Sequence, residues 1–338
     1  MSDHRELAHG GAVRAAARRH GIPEDQWLDL STGINPHGWP VPPLDPELWR
    51  RLPEPDDGLA EAGRAWAGAP AASACLPVPG TQAAIQHLPV LRNPATVGVP
   101  EPGYNEHARW WRAAGHEVVT VDANGVEDQL DTLDVLVWIH PNNPTGQQLP
   151  RSVLRDWQQR LARRGGWLVV DEAFLDDPAE SMAAFTGEDG LIVLQSLGKI
   201  FGLAGARTGL IFGPTTLCER LEASLGPWSV PGPTRAVMLH ALCDRNWQQR
   251  NREQLRRDSG RLKTLLEEQG LTVAGHTVLF AWCPTPQAPT IAEALGRRGI
   301  LVRVFDDPPA LRIGLPGDEM QWHRLGQALT ELMAGVDN

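Results

Sequence analysis

Only two lysines, Lys199 and Lys263, occur in this chain of 338 residues, although lysine and arginine together number 31. A lysine retained where arginine serves elsewhere invites a chemical reason. A guanidinium is permanently charged, whereas an amine of lowered pKa can attack a carbonyl. Lys199 lies in Ser196-Leu-Gly-Lys-Ile-Phe-Gly-Leu-Ala-Gly-Ala-Arg207, with glycines at 198, 202 and 205. The Ser196 hydroxyl stands three residues before the amine and the Arg207 guanidinium eight after it. That grouping suits a cofactor carrying both an aldehyde and a phosphate. Taken by itself, the stretch also fits a glycine-rich loop with an incidental lysine.

Such residues need a scaffold. Short apolar runs recur at 95–99, 117–121, 135–139, 167–170, 191–194 and 209–212, separated in several places by helical patterns, notably 104–114 and 151–164. Nearly continuous apolar strands alternating with helices predict an α/β architecture whose sheet is mostly parallel and covered by helices on both faces. Ligands of such sheets bind beyond the carboxyl ends of the strands. Polar residues gather at those ends: His140-Pro-Asn-Asn143, Asp171-Glu172 and Gln195-Ser196. Asp171 is placed to serve a cofactor ring as a carboxylate partner, while Glu172 alternates to the other side of the chain. Gly80-Thr81-Gln82 opens a helix and could seat a phosphate, though on its own it reads as a plain N-cap.

The remaining chain frames this unit. Residues 1–45 form an arm expected to close over the site and join the smaller domain; its short helical pattern (11–20) leads into the Pro- and Gly-rich loop Ser31-Thr-Gly-Ile-Asn35-Pro-His-Gly. Residues 46–233 form the large domain. Residues 234–338 form a long helical stretch (234–269) and a smaller α+β domain with apolar runs at 278–282, 300–304 and 311–315.

Composition narrows the classes. A net charge of -10, a pI near 5.6 and scattered arginines argue against nucleic acid as a partner. No apolar run reaches the roughly 18 residues of a membrane span, and the start has no signal-peptide core. Cys75, Cys218, Cys243 and Cys283 lie far apart with no CxxC pair, which predicts reduced core cysteines of a cytoplasmic protein and no metal site. The thirteen tryptophans are expected to fill the core or subunit interfaces.

In order and spacing, Asn143-Pro-Thr-Gly146, Asp171-Glu-Ala-Phe174, Ser196-x-x-Lys199, Arg207 and Leu311-Arg312-Ile-Gly resemble the aspartate-aminotransferase-like class of pyridoxal phosphate enzymes. The resemblance covers most of the chain. It implies that Lys199 carries the cofactor aldehyde, that Asp171 pairs with the ring nitrogen, and that Asn143 bonds the 3′-oxygen. Gly80, Thr81, Gln82, Ser196 and Arg207 would complete the cofactor site, with Tyr104, the only tyrosine, stacked on the ring. Tyr104 read alone also fits, less well, a core aromatic. Arg312 would grip the substrate α-carboxylate as a two-pronged fork.

His9-Gly-Gly, the Ser31–Gly38 loop, Asp171-Glu-Ala-Phe and Pro227-Trp-Ser-Val resemble, more narrowly, the branch that decarboxylates threonine phosphate in the cobalamin pathway. That resemblance implies a small phosphorylated amino acid as substrate and a homodimer. Arg303 would be a second carboxylate ligand, unless it is an ordinary surface arginine, and His9, Gly33, Ile34 and Asn35 would close over the substrate. The histidinol-phosphate aminotransferases share the class and remain the alternative. Two departures stand out: Phe174 cannot donate where related transaminases carry a tyrosine, and Arg51-Leu52-Pro53 lacks the tyrosine that many relatives send into the partner's site.

Overall fold

The structure is a computed structural model that describes residues 9–122 and 125–334. Two units divide it: Gly38–Asn143 with Gln147–Arg252, and Met1–His37 with Pro144–Gly146 and Glu253–Asn338.

The apolar runs of the larger unit become a seven-stranded sheet in the order Ala74–Val78, Gly209–Gly213, Leu191–Ser196, Trp167–Asp171, Val135–Ile139, Thr96–Pro100, Glu117–Val121. Gly209–Gly213 is antiparallel to both its neighbours; every other pairing is parallel. Alternate side chains feed two separate cores. Leu136, Trp138, Leu168, Val170 and Val193 face one way, against helices Leu59–Ala67, Arg151–Ala162 and Gly232–Cys243. Val135, Val137, Val169, Ile192 and Leu194 face the other, against helices Thr81–His87, Glu106–Ala113 and Thr215–Leu225. Burial on both faces explains why these strands read as continuous apolar runs. Each fully buried aliphatic side chain contributes roughly 1.5–3 kcal/mol. The rigid frame that results is what holds the strand ends in place.

Three details differ from expectation. Ala74–Val78 is a strand despite Pro77, because it lies at the sheet edge and pairs on one side only. The stretch 234–269 is two helices, Gly232–Cys243 and Arg245–Glu268. Asp244 interrupts it: its Oδ1 accepts from Trp247 N at 3.0 Å, capping the second helix, while its Oδ2 accepts from Trp39 Nε1 at 3.2 Å. Cys75, Cys218 and Cys283 are buried, but Cys243 is exposed at a helix end and is not a core residue.

In the smaller unit an antiparallel sheet runs Arg303–Asp306, Pro309–Gly314, Phe280–Pro284, Gly275–Thr277. Leu28–Asp29 pairs in parallel with Ile300–Leu301, and Gly314 N donates to Leu30 O at 2.7 Å. The segment approaching the Ser31 loop is thereby stitched to the strands carrying both candidate carboxylate arginines. Among the described residues no helix is long and apolar enough to cross a membrane, and no metal-ligating group of three side chains occurs.

Candidate active site

Asp171 is the last residue of its strand and is buried at the sheet's carboxyl edge. Its Oδ2 accepts from His107 Nε2 at 2.8 Å and its Oδ1 from Ala173 N at 3.0 Å. A carboxylate can only accept, so His107 carries its proton on Nε2. His107 comes from the first turn of helix Glu106–Ala113, and the Tyr104 ring meets it edge-on, centroids 6.1 Å apart. Tyr104 Oη in turn donates to Gln82 Oε1 at 3.1 Å. Sequence reasoning missed His107. No helical spacing could have found it, because Tyr104 lies before the helix that carries His107.

Glu172 turns away, as strand alternation requires, into a buried pocket of its own. Its carboxylate accepts from Ser181 Oγ, from Gln195 Nε2 at 2.9 Å and from Met182 N at 2.7 Å. Burial pushes it up to about 7; the three donors pull the other way, and the Asp171 charge adds to the rise. Burial likewise lowers His140, just beyond strand Val135–Ile139, to about 4, so that it is neutral at ordinary pH.

Lys199 lies in the short helix Leu197–Ile200, which begins directly where strand Leu191–Ser196 ends. Its Nζ stands 5.2 Å from the centroid of the buried Phe174 ring, three residues after Asp171. Amine and carboxylate therefore project from the ends of two adjacent parallel strands. Asn143 follows the next strand in the sheet, whose Ile139 pairs with Asp171.

The four residues expected to hold a phosphate lie alongside. Gly80 has φ +80°, and a Cβ there would sit 2.6 Å from Arg207 Nη2, so only glycine lets this guanidinium lie against the start of helix Thr81–His87. Arg207 itself adopts φ 51°, a strained placement for a non-glycine residue, and Nη1 donates to Ala204 O at 3.1 Å. Ser196 pairs across the sheet with Gly209, where an added Cβ would press within 2.9 Å of Thr81 N. Gly80, Thr81, Ser196 and Arg207 thus converge. A buried carboxylate, a lysine amine, a flat aromatic and a guanidinium against a helix start are groups that fit pyridoxal phosphate.

The smaller unit holds the remaining candidates. Arg303 and Arg312 are directly opposed on neighbouring antiparallel strands. Side chains so paired share one face with Cβ atoms about 5 Å apart, and like charges there repel. Arg312 is buried, its Nη2 donates to Ser31 O, and its guanidinium lies 5.2 Å from the Phe280 ring. Arg303 is half-buried over Phe305 at 5.0 Å; burial lowers its pKa and Asp306 opposes the shift. Ser31 Oγ donates to Asp29 Oδ1 at 2.6 Å and accepts from Gly11 N at 2.8 Å, anchoring the segment that follows His9, which is exposed. Gly33 is buried and Ile34 half-buried in the same loop. Asn35 Oδ1 accepts from His37 N at 2.8 Å and its Nδ2 donates to His37 O at 3.3 Å, so this side chain shapes its own loop.

A lysine just beyond one strand, a buried carboxylate at the end of its neighbour and a doubly covered, mostly parallel sheet define a class. The chain belongs to the aminotransferase class I and II family, which it matches over residues 58–329. Among its relatives, a threonine-phosphate decarboxylase of Pseudomonas aeruginosa is 49% identical over 96% of this chain and 97% of its own length. Another of that name, from Sinorhizobium sp, is 38% identical over 96% and 98%. The crystal structure of the histidinol-phosphate aminotransferase from Clostridium acetobutylicum shares the fold, with TM-score 0.80, 17% identity and coverage of 91% of this chain and 99% of that one.

Proposed function

We propose that the protein is a pyridoxal-phosphate-dependent decarboxylase that converts L-threonine O-3-phosphate to (R)-1-amino-2-propanol phosphate and CO2 in cobalamin biosynthesis, working as a cytoplasmic homodimer. The observation that carries this reading is the facing pair Arg303 and Arg312, two cations held side by side that an anionic carboxylate between them would relieve. Likeness to two decarboxylases over nearly the full chain supports it.

When bound, the cofactor supplies the electron sink for the bond that breaks. The chain's own residues do the rest. Lys199 would hold the cofactor through its aldehyde. Asp171, itself held by His107, would pair with the ring nitrogen. Asn143 bonds the 3′-oxygen, Tyr104 covers the ring, and Gly80, Thr81, Ser196 and Arg207 hold the phosphate. Arg303 and Arg312 would grip the substrate carboxylate and fix the orientation of its bond to Cα, and that orientation would select loss of CO2 over loss of the Cα proton. His9, Gly33, Ile34 and Asn35 close over the distal phosphate, whose binding energy is available to hold the reacting bond in place. Lys199 or a water then returns a proton to Cα.

The test offers purified enzyme threonine phosphate alone, then histidinol phosphate with 2-oxoglutarate. Aminopropanol phosphate and CO2 from the first, with negligible glutamate from the second, is the expected result. The reverse pattern makes the protein an aminotransferase. Threonine without its phosphate should lose kcat as well as affinity; a loss confined to KM would show that the remote phosphate does not orient the bond.

A further inference from the structure

Beside Tyr104, a run of hydrogen bonds reaches a buried charge that none of the steps above employs. Tyr104 Oη donates to Gln82 Oε1 at 3.1 Å, and Gln82 Nε2 donates to Glu106 Oε2 at 2.8 Å. Trp110 Nε1 donates to the same oxygen at 2.8 Å, and Arg109 Nη1 approaches Oε1 at 3.4 Å. Glu106 is only 4% exposed. Helical spacing assembles the group, since residues three and four places after Glu106 lie on its own face. A carboxylate this deep needs such donors to offset lost hydration.

The donor and acceptor types fix the direction of the whole run. A carboxylate only accepts, so the side of the Gln82 amide facing Glu106 is its NH2. The amide carbonyl therefore faces Tyr104, and because a carbonyl only accepts, the phenol must donate. We propose that Glu106 is a positioning residue for Tyr104: its carboxylate orients the Gln82 amide, which holds the phenol as a proton donor and so fixes the rotation of the ring over the cofactor. His107, edge-on to that ring, confines it from another direction. A phenol proton committed to Gln82 is also withheld from the substrate, which leaves Lys199 or water to protonate Cα. The proposal rests on the preceding reading, in which Tyr104 covers the cofactor ring.

Because Tyr104 is the only tyrosine, tyrosine labelled with carbon-13 at Cζ gives a single NMR signal from this one hydroxyl environment. In cofactor-free protein, Glu106→Gln should move or split that signal, since a glutamine offers both donor and acceptor and no longer dictates how Gln82 faces. Should Glu106→Gln fail to fold, Gln82→Met cuts the same run and should move the signal likewise. An unmoved signal in a folded variant overturns the proposal, whatever the cofactor does. In the second arm, cofactor is titrated into apoprotein. Glu106→Gln should weaken binding by about fivefold in the parent, the worth of one ordinary hydrogen bond, and by less than about twofold in a Tyr104→Phe background. Equal losses in the two backgrounds would mean that Glu106 acts on general packing and not through the hydroxyl. Failure of the preceding reading looks different: no cofactor would attach to Lys199 in any variant, while the NMR arm would still decide the relay.

Discussion

Asp171 and Glu172 are consecutive, both buried and both acidic, yet their surroundings give them opposite tasks. Asp171 has His107 as donor at 2.8 Å, a partner suited to the ring-nitrogen role proposed for this carboxylate. His107→Phe should keep the fold and lower kcat more than it raises KM, because Asp171 would lose its orienting donor; an unchanged kcat would show that Asp171 needs no such support. Glu172 sits where its protonated form is favoured, with its folded pKa raised from 4.5 to about 7 by burial. A raised carboxylate pKa contributes stability that is fully present below the unfolded value and is lost as pH rises through the folded one. Between pH 5 and 8 the parent should therefore lose on the order of 2 kcal/mol that Glu172→Gln does not, measured by urea unfolding at each pH. Parallel pH profiles would show that Glu172 is already ionised in the fold. Lys199 and Lys263 differ as sharply. Lys263 is solvent-exposed and 3.9 Å from Glu267 in its own helix, so borohydride reduction of the cofactor complex should label Lys199 alone. A label on Lys263 would overturn the site assignment.

At the scale of elements, what positions Arg312, one of the two arginines proposed to hold the substrate, is a pair of contacts far apart in sequence. Ser31 ties Gly11 and Asp29 through its hydroxyl and Arg312 through its carbonyl. Arg312→Lys should lower kcat/KM on the order of 10- to 100-fold despite the retained charge, since a single ammonium cannot reproduce the planar fork. Loss of less than about twofold would show that Arg312 does not grip the carboxylate. Ser31→Ala should raise KM with a smaller change in kcat, because the carbonyl contact to Arg312 survives; a fall in kcat matching that of Arg312→Lys would place the hydroxyl in the chemistry itself. The central strands and their polar ends were legible in the sequence, since burial on both faces leaves a continuous apolar signature in runs such as 135–139. The edge strand Ala74–Val78 was not, because Pro77 argues against a strand until one knows that a single side is paired. The parallel pairing of Leu28–Asp29 with Ile300–Leu301 could not be read either: two residues carry no periodicity, and their partners lie more than two hundred and fifty positions away. The same holds within the site. Lys199, Asp171 and Arg207 announce themselves by residue type and spacing, while His107 and Glu106 gain meaning only from neighbours that folding supplies.

For the whole molecule the remaining matter is how many chains make an enzyme. The larger unit leaves Trp49 71%, Leu52 62% and Trp228 58% exposed. Scattered single apolar residues are ordinary, whereas a contiguous exposed apolar patch marks a surface for another chain, and these residues are the candidates for one. Trp49 lies in helix Glu47–Arg50 and Leu52 just after it; that helix packs against helix Gly232–Cys243, and Trp228 lies four residues before that second helix. Trp228 also holds φ 59°, a left-handed placement that costs a non-glycine residue about 1–2 kcal/mol and is unexpected for a side chain that merely faces water. A second copy docking here would bury these side chains and offset the strain. A stable pair would be expected to bury more than about 1,000 Å² in total. Sedimentation should therefore give a dimer at working concentrations. Trp49→Glu with Trp228→Glu should shift it towards monomer and reduce cofactor retention as dissociation proceeds. Full activity from a species that sediments as a monomer would refute the dimer. A charged double variant that remains dimeric would move the interface to another face.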